Sequence, residues 1–137
     1  MSARQATRAA WGVRWLQALR AVVVLHVAAL LFQAVTAGML LSSPGGRALH
    51  ETSGQALVVI GLVHLVVALL GWRPGGGSVR FAGPAAALLV VTVGAMALGM
   101  AGVTTLHVPM GVALFGGGLL QLTRVMAAAR RPAGRPF

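Results

Sequence analysis

The run Gln55-Ala-Leu-Val-Val-Ile-Gly-Leu-Val-His-Leu-Val-Val-Ala-Leu-Leu-Gly-Trp72 carries no charge across eighteen residues. As a helix it extends about 27 Å, close to the ~30 Å of hydrocarbon in a bilayer. Residues 21–41, 82–103 and 106–123 form three further uncharged apolar runs. The chain of 137 residues is 58% hydrophobic and only 9% charged. A soluble domain of this size needs more polar surface than that. The expected fold is an all-α membrane protein with four transmembrane helices.

The formal charge of +10 is explained by where the arginines fall. Arg4, Arg8, Arg14 and Arg20 precede span one, Arg73 and Arg80 lie between spans two and three, and Arg124, Arg130, Arg131 and Arg135 follow span four. Arg47 alone lies on the opposite side. The positive-inside rule then puts both termini and the middle loop in the cytoplasm of a cell with an inner (plasma) membrane. Termini on one side require an even number of spans, so charge and hydropathy agree. Arginines that flank apolar spans are accounted for by topology, which argues against nucleic acid as a partner. The first apolar run is too long for a cleaved signal sequence. There is no cysteine, so disulfides, iron–sulfur clusters and thiolate metal sites are excluded. All eleven basic residues are arginine and lysine is absent, a bias that a GC-rich bacterial genome would produce.

Three segments follow. Residues 1–20 form a basic cytoplasmic segment, with Trp11 and Trp15 suited to headgroup depth in an interfacial helix. Residues 21–126 form the four-helix domain, and residues 127–137 a basic cytoplasmic tail. A compact outer turn follows span one, Ser42-Ser43-Pro44-Gly45-Gly46-Arg47, and a glycine-rich inner loop, Arg73-Pro74-Gly75-Gly76-Gly77-Ser78, joins the halves. Pro84 and Pro109 are expected in the first turns of spans three and four, where no amide hydrogen bond is lost. The expected architecture is two helical hairpins packed as an up-down-up-down bundle. Glycines are dense where helices should touch, since small residues let membrane helices approach closely. Gly54, Gly61, Gly111 and Gly118 also share faces with histidines, where a flat cofactor ring would need space.

The hairpins carry a repeat. Leu49-His-Glu-Thr-Ser-Gly-Gln-Ala-Leu-Val-Val-Ile-Gly-Leu-Val-His-Leu65 returns 57 residues later as Leu106-His-Val-Pro-Met-Gly-Val-Ala-Leu-Phe-Gly-Gly-Gly-Leu-Leu-Gln-Leu122. Eight of 17 positions are identical, where this composition gives roughly two by chance. His50 matches His107, and the chain has only four histidines. His64 is matched by Gln121.

Depth sorts the four histidines. His50 and His107 each begin a helix that enters from outside, so they should share a height. His64 lies eight residues before Trp72 and His26 six after Arg20, an axial mismatch of only ~3 Å. The expected groups are an outer pair, His50 with His107, and an inner pair, His26 with His64. Paired imidazoles on facing helices are what six-coordinate haem iron needs. Two histidines are too few for a tight zinc site, and the scattered methionines form no copper cluster.

The 14-residue interval from His50 to His64 resembles the di-haem helices of cytochrome b proteins. The Leu-His-x-x-x-Gly motif at residues 49–54 and 106–111 resembles one four-helix half of the haem A synthase family, over roughly residues 20–125. That resemblance implies a bis-histidine haem with His50 and His107 as outer ligands. The departures are plain. Haem A synthases have eight spans, their functional acidic residue has no clear counterpart here, and Gln121 stands where a cytochrome b pattern would place a second histidine. The resemblance therefore bears on a haem site rather than on an enzyme activity.

Two functional readings follow. The first is a small b-type haem protein, with haem at His50–His107 and a second at His26–His64, passing electrons between a quinone and a membrane redox partner or handling haem. The second is a cofactor-free accessory or structural subunit that joins a larger complex, or copies of itself, through its glycine-rich faces. Without a cofactor, His26 and His64 can bond each other or Gln33, while Gln33, Thr36 and Thr92 supply interhelical hydrogen bonds. Glu51 suits the start of a helix and can pair with Arg47. No nucleophile–base pair or metal-activated water site is visible, so the reading leans away from an enzyme. Transport would need an oligomer and offers few ionisable interior groups.

Overall fold

The structure is a computed structural model that describes residues 2–71 and 79–130. The expected inner loop at 73–78, Trp72, and the tail arginines Arg131 and Arg135 lie outside the described residues. Among the described residues there are four α-helices: α1 (Ala3–Ser42), α2 (Gly46–Leu70), α3 (Ala82–Met100) and α4 (Thr104–Ala129), with a short 3₁₀ turn at Val79–Phe81 before α3. All four are long and apolar enough to cross a membrane.

Helix α1 starts much earlier than hydropathy alone indicates. Ser2 caps it: its hydroxyl accepts from the Gln5 amide at 3.4 Å, and the Gln5 side chain accepts from the Ser2 amide at 2.8 Å. This reciprocal arrangement satisfies two otherwise orphaned donors. Residues 3–20 therefore continue into the first apolar run without a break. Trp15 turns into the bundle, donating its indole N–H to the Val67 carbonyl at 2.7 Å. It lies so close to Gly71 that a Cβ there would overlap the indole ring.

The connections are short and depend on glycine at two points. Between α1 and α2, Gly46 lies directly on the backbone of Met39, where any Cβ would overlap the carbonyl. Between α3 and α4, Gly102 has φ +72°, a conformation glycine adopts without steric cost. The Val103 amide then reaches back to the Leu98 carbonyl at 2.9 Å, closing the end of α3. Helix α4 begins at Thr104, so Pro109 falls in its second turn rather than its first. The Thr105 carbonyl there loses its helical partner, because proline has no N–H.

Each helix packs on two neighbours. α1 lies against α2 and α4, and α3 lies against the same two. Ascending α1, partners on α2 descend: Trp15 meets Val67, His26 meets His64, and Gln33 meets His50. The core has two apolar clusters. One comprises Leu19, Val23, Ala68, Phe81, Ala82, Ala85 and Val125. The other comprises Leu30, Leu57, Leu88, Ala95 and Leu114. His26 follows Val23 and precedes Leu30, His64 falls between Leu57 and Ala68, and Gln121 between Leu114 and Val125. A buried polar layer thus separates the two clusters. The outward faces are apolar as well, with Val90 70%, Val112 69% and Leu120 60% exposed.

Candidate functional site

The four histidines fall into two pairs, each formed across helices. His26 and His64 are 1% and 0% exposed. Their Nδ1 atoms lie 2.9 Å apart and their ring planes are nearly perpendicular, at 87°. A hydrogen bond between two imidazole nitrogens needs one donor and one acceptor. Two neutral rings so bonded must be opposite tautomers. One Nε2 then carries a hydrogen and the other a lone pair, and both are buried without a partner. Gln121, which stands in α4 where α2 has His64, donates its amide to the Phe81 carbonyl at 3.0 Å and leaves its Oε1 unpartnered.

The outer pair is more polar and partly exposed. His50 sits in a cradle from α1 and its own helix. Gln33 Nε2 donates to the His50 carbonyl at 3.1 Å and lies 3.2 and 3.3 Å from the two ring nitrogens. Thr36 Oγ1 is 3.1 Å from His50 Nδ1 and 3.1 Å from Ser53 Oγ, while Ser53 donates to Gln33 Oε1 at 2.5 Å. His107 lies across from it, with ring centroids 6.1 Å apart and planes at 78°. His107 Nδ1 meets the Ala95 carbonyl at 2.7 Å. A carbonyl only accepts, so Nδ1 holds the hydrogen and the neutral ring presents Nε2 as a bare lone pair. Gly99 makes the seat: a Cβ there would stand 2.9 Å from the His107 ring.

The outer rings stand at a separation compatible with an interposed iron. Metal–nitrogen bonds of about 2 Å from opposite sides set two imidazole centroids roughly 6 Å apart, close to the 6.1 Å found. In the inner pair the Nδ1 atoms are bonded to each other at 2.9 Å, closer than the ~4 Å that two nitrogens ligating one iron require, which leaves the unpartnered Nε2 atoms as the available nitrogens. The space over several glycines is occupied by protein. Gly54 faces Gln33, Gly61 faces Leu89 and His26, and Gly118 faces Leu30 and Val27, whereas Gly111, one turn from His107, has nothing within 4 Å of its Cβ position. No group of three or more metal-ligating side chains occurs among the described residues.

Several partners were not foreseen from the sequence. Ser53, the Ala95 carbonyl and the seat at Gly99 join the outer pair. Gln33 and Thr36 do bond across helices, and the spacings Gln33–Thr36 and His50–Ser53, each three residues, would have put them on shared faces. Thr92 instead bonds its own helix, donating to the Leu88 carbonyl at 2.8 Å. Arg47 and Glu51 pair at 3.4 Å with both side chains exposed, a contact worth little in water. Comparison with family models, curated proteins and solved structures gave no match.

Proposed function

We propose that this chain is an integral membrane protein of the plasma membrane, its helices crossing up-down-up-down with both termini cytoplasmic, and that His50 and His107 hold a b-type haem near the outer surface. The observation that carries the haem reading is the facing outer pair, 6.1 Å between centroids, with His107 tethered to the Ala95 carbonyl. Ligating histidines commonly donate their second ring nitrogen to a carbonyl, which fixes the tautomer and ring orientation. The membrane reading is supported by the four apolar helices, by leucine and valine on the outward faces, and by arginine placement.

The roles then divide among this chain's residues. His50 and His107 would supply the ligating nitrogens. Gln33 and Thr36 orient His50, Ala95 orients His107, and Gly111 leaves room beside it. Haem, when bound, supplies one-electron chemistry. Glu51, the one acidic residue, is exposed and paired with Arg47, and electron transfer with a quinone or membrane redox partner, or haem handling, is the role this reading assigns to the pair. The likeness of the Leu-His-x-x-x-Gly motifs to haem A synthases supports ligation in the same way.

Purified protein from haem-replete cells is expected to show a Soret band and sharp low-spin α and β bands on reduction. Both are expected to vanish in His50→Ala and in His107→Ala. A colourless wild-type protein overturns this reading. One observation favours a second reading, a cofactor-free accessory subunit. The inner pair satisfies its Nδ1 atoms without iron. Unchanged folding and partner binding in the two alanine variants, with no haem in the wild type, selects it.

A further inference from the structure

The outward face of α2 carries a heptad seam. Thr52, Val59 and Val66 stand seven residues apart, and Gln55, Leu62 and Leu69 follow each of them by three. All six side chains are exposed, with Val59 at 59%, Leu62 at 49%, Val66 at 54% and Leu69 at 40%. By contrast, Gly54 and Gly61 are used inside the bundle, where they face Gln33 and Leu89. A heptad with β-branched residues at its first position and leucine at its fourth is the pattern of a parallel two-stranded pair. Membrane helices commonly pack at the same shallow left-handed crossing.

Gln55 is the polar member of the seam. Helix α3, with 19 residues, is about 28 Å long and matches the hydrocarbon thickness by itself. Its Ala95 carbonyl meets His107, which faces His50. His50 is therefore level with the outer part of α3, and Gln55 lies about 7.5 Å deeper. The Gln55 side chain is exposed there and makes no hydrogen bond among the described residues. Hydrocarbon offers it neither donor nor acceptor.

We propose that α2 pairs with α2 of a second copy of this chain, as a two-fold dimer packed along this seam. The proposal rests on the membrane reading above and is independent of haem. Both copies share one orientation in the membrane, so the paired helices run parallel. A two-fold interface is made from the same patch on both subunits, and layers of β-branched residues alternating with leucine complement themselves. A carboxamide donates through its nitrogen and accepts through its oxygen. Two Gln55 side chains related by the two-fold axis therefore satisfy each other reciprocally. The polar layer also sets the register, since sliding the helices by one heptad leaves both amides in lipid. These features favour a second copy over an unrelated subunit, which would need a matching amide at the same depth.

The test uses the full chain in phosphatidylcholine vesicles, labelled on Ser43→Cys with donor or acceptor dye and diluted stepwise with lipid. The chain has no native cysteine. Energy transfer is expected to follow a monomer–dimer equilibrium. Gln55→Leu should weaken dimerisation about threefold to tenfold, and Leu62→Trp should weaken it further by overpacking the seam. Val90→Trp, on the outward face of α3 where Val90 is 70% exposed, should change nothing. Cross-linking of single-cysteine variants with a short bismaleimide covers the case of a substitution that disturbs the fold. Val59→Cys, Leu62→Cys and Val66→Cys should each cross-link to the same position of the second copy, whereas Val90→Cys and Val112→Cys should not. Absence of energy transfer at every dilution overturns the proposal, as do equal loss in Val90→Trp, a trimer or larger species, or cross-links confined to position 112 on α4. Failure of the chain to enter vesicles overturns the membrane reading and the seam with it, whereas a monomer in the bilayer overturns the seam alone.

Discussion

Replacing Gly99 with alanine puts a methyl group 2.9 Å from the His107 ring. The ring is the mobile end of a side chain, so the fold should survive while the ring leaves its bond to the Ala95 carbonyl. The expected result is near-wild-type thermal stability with weakened or spectrally shifted haem, measured by optical titration and low-temperature EPR. An unchanged spectrum would remove His107 from the proposed site. At the inner pair the effect should fall on stability. His26→Leu alone leaves the His64 Nδ1 buried and unpartnered, a cost of about 1–3 kcal/mol. The double variant His26→Leu/His64→Leu should recover much of that loss in denaturation assays, while outer haem is unaffected. The pairing of these histidines was legible in the sequence because helical rise converts residue number into depth. The cradle around His50 was not, because it depends on how α1 and α2 are rotated against each other. Nor was the anchor of His107, since a backbone carbonyl has no sequence signature.

At the scale of helices, hydropathy found the number of elements and missed where they start. It detects apolarity rather than helix, and arginine is nearly as good a helix former as leucine. That is why α1 extends back to Ala3 through four arginines. The same blindness moved Pro109 into the second turn of α4, since Thr104 and Thr105 are polar yet helical. The hairpin between α1 and α2 depends on Gly46, which rests on the Met39 backbone. Backbone cannot yield as a side-chain tip does. Gly46→Ala is therefore expected to cost about 1–3 kcal/mol by overpacking. Gly111→Ala, in open space, should cost far less, and unfolding of both variants in detergent gives the comparison.

For the molecule as a whole, topology is the first thing to check, and the lack of cysteine makes the background clean. In intact cells Ser43→Cys should react with an impermeant maleimide, whereas Arg130→Cys should react only after the membrane is opened. The reverse pattern inverts the arginine-based orientation, and labelling of both sites from outside ends the even-span topology. Helix α1 adds a mechanical consequence. Its 40 residues measure about 60 Å, twice the ~30 Å of hydrocarbon. Trp15, fastened to Val67 and seated on Gly71, is a fulcrum near the far end of α2. The segment before it is a helical arm of about 18 Å that carries Arg4, Arg8 and Arg14. A load on its tip would be carried through an unbroken helix to the Trp15 contact and on to the stretch that bears His26 and Gln33.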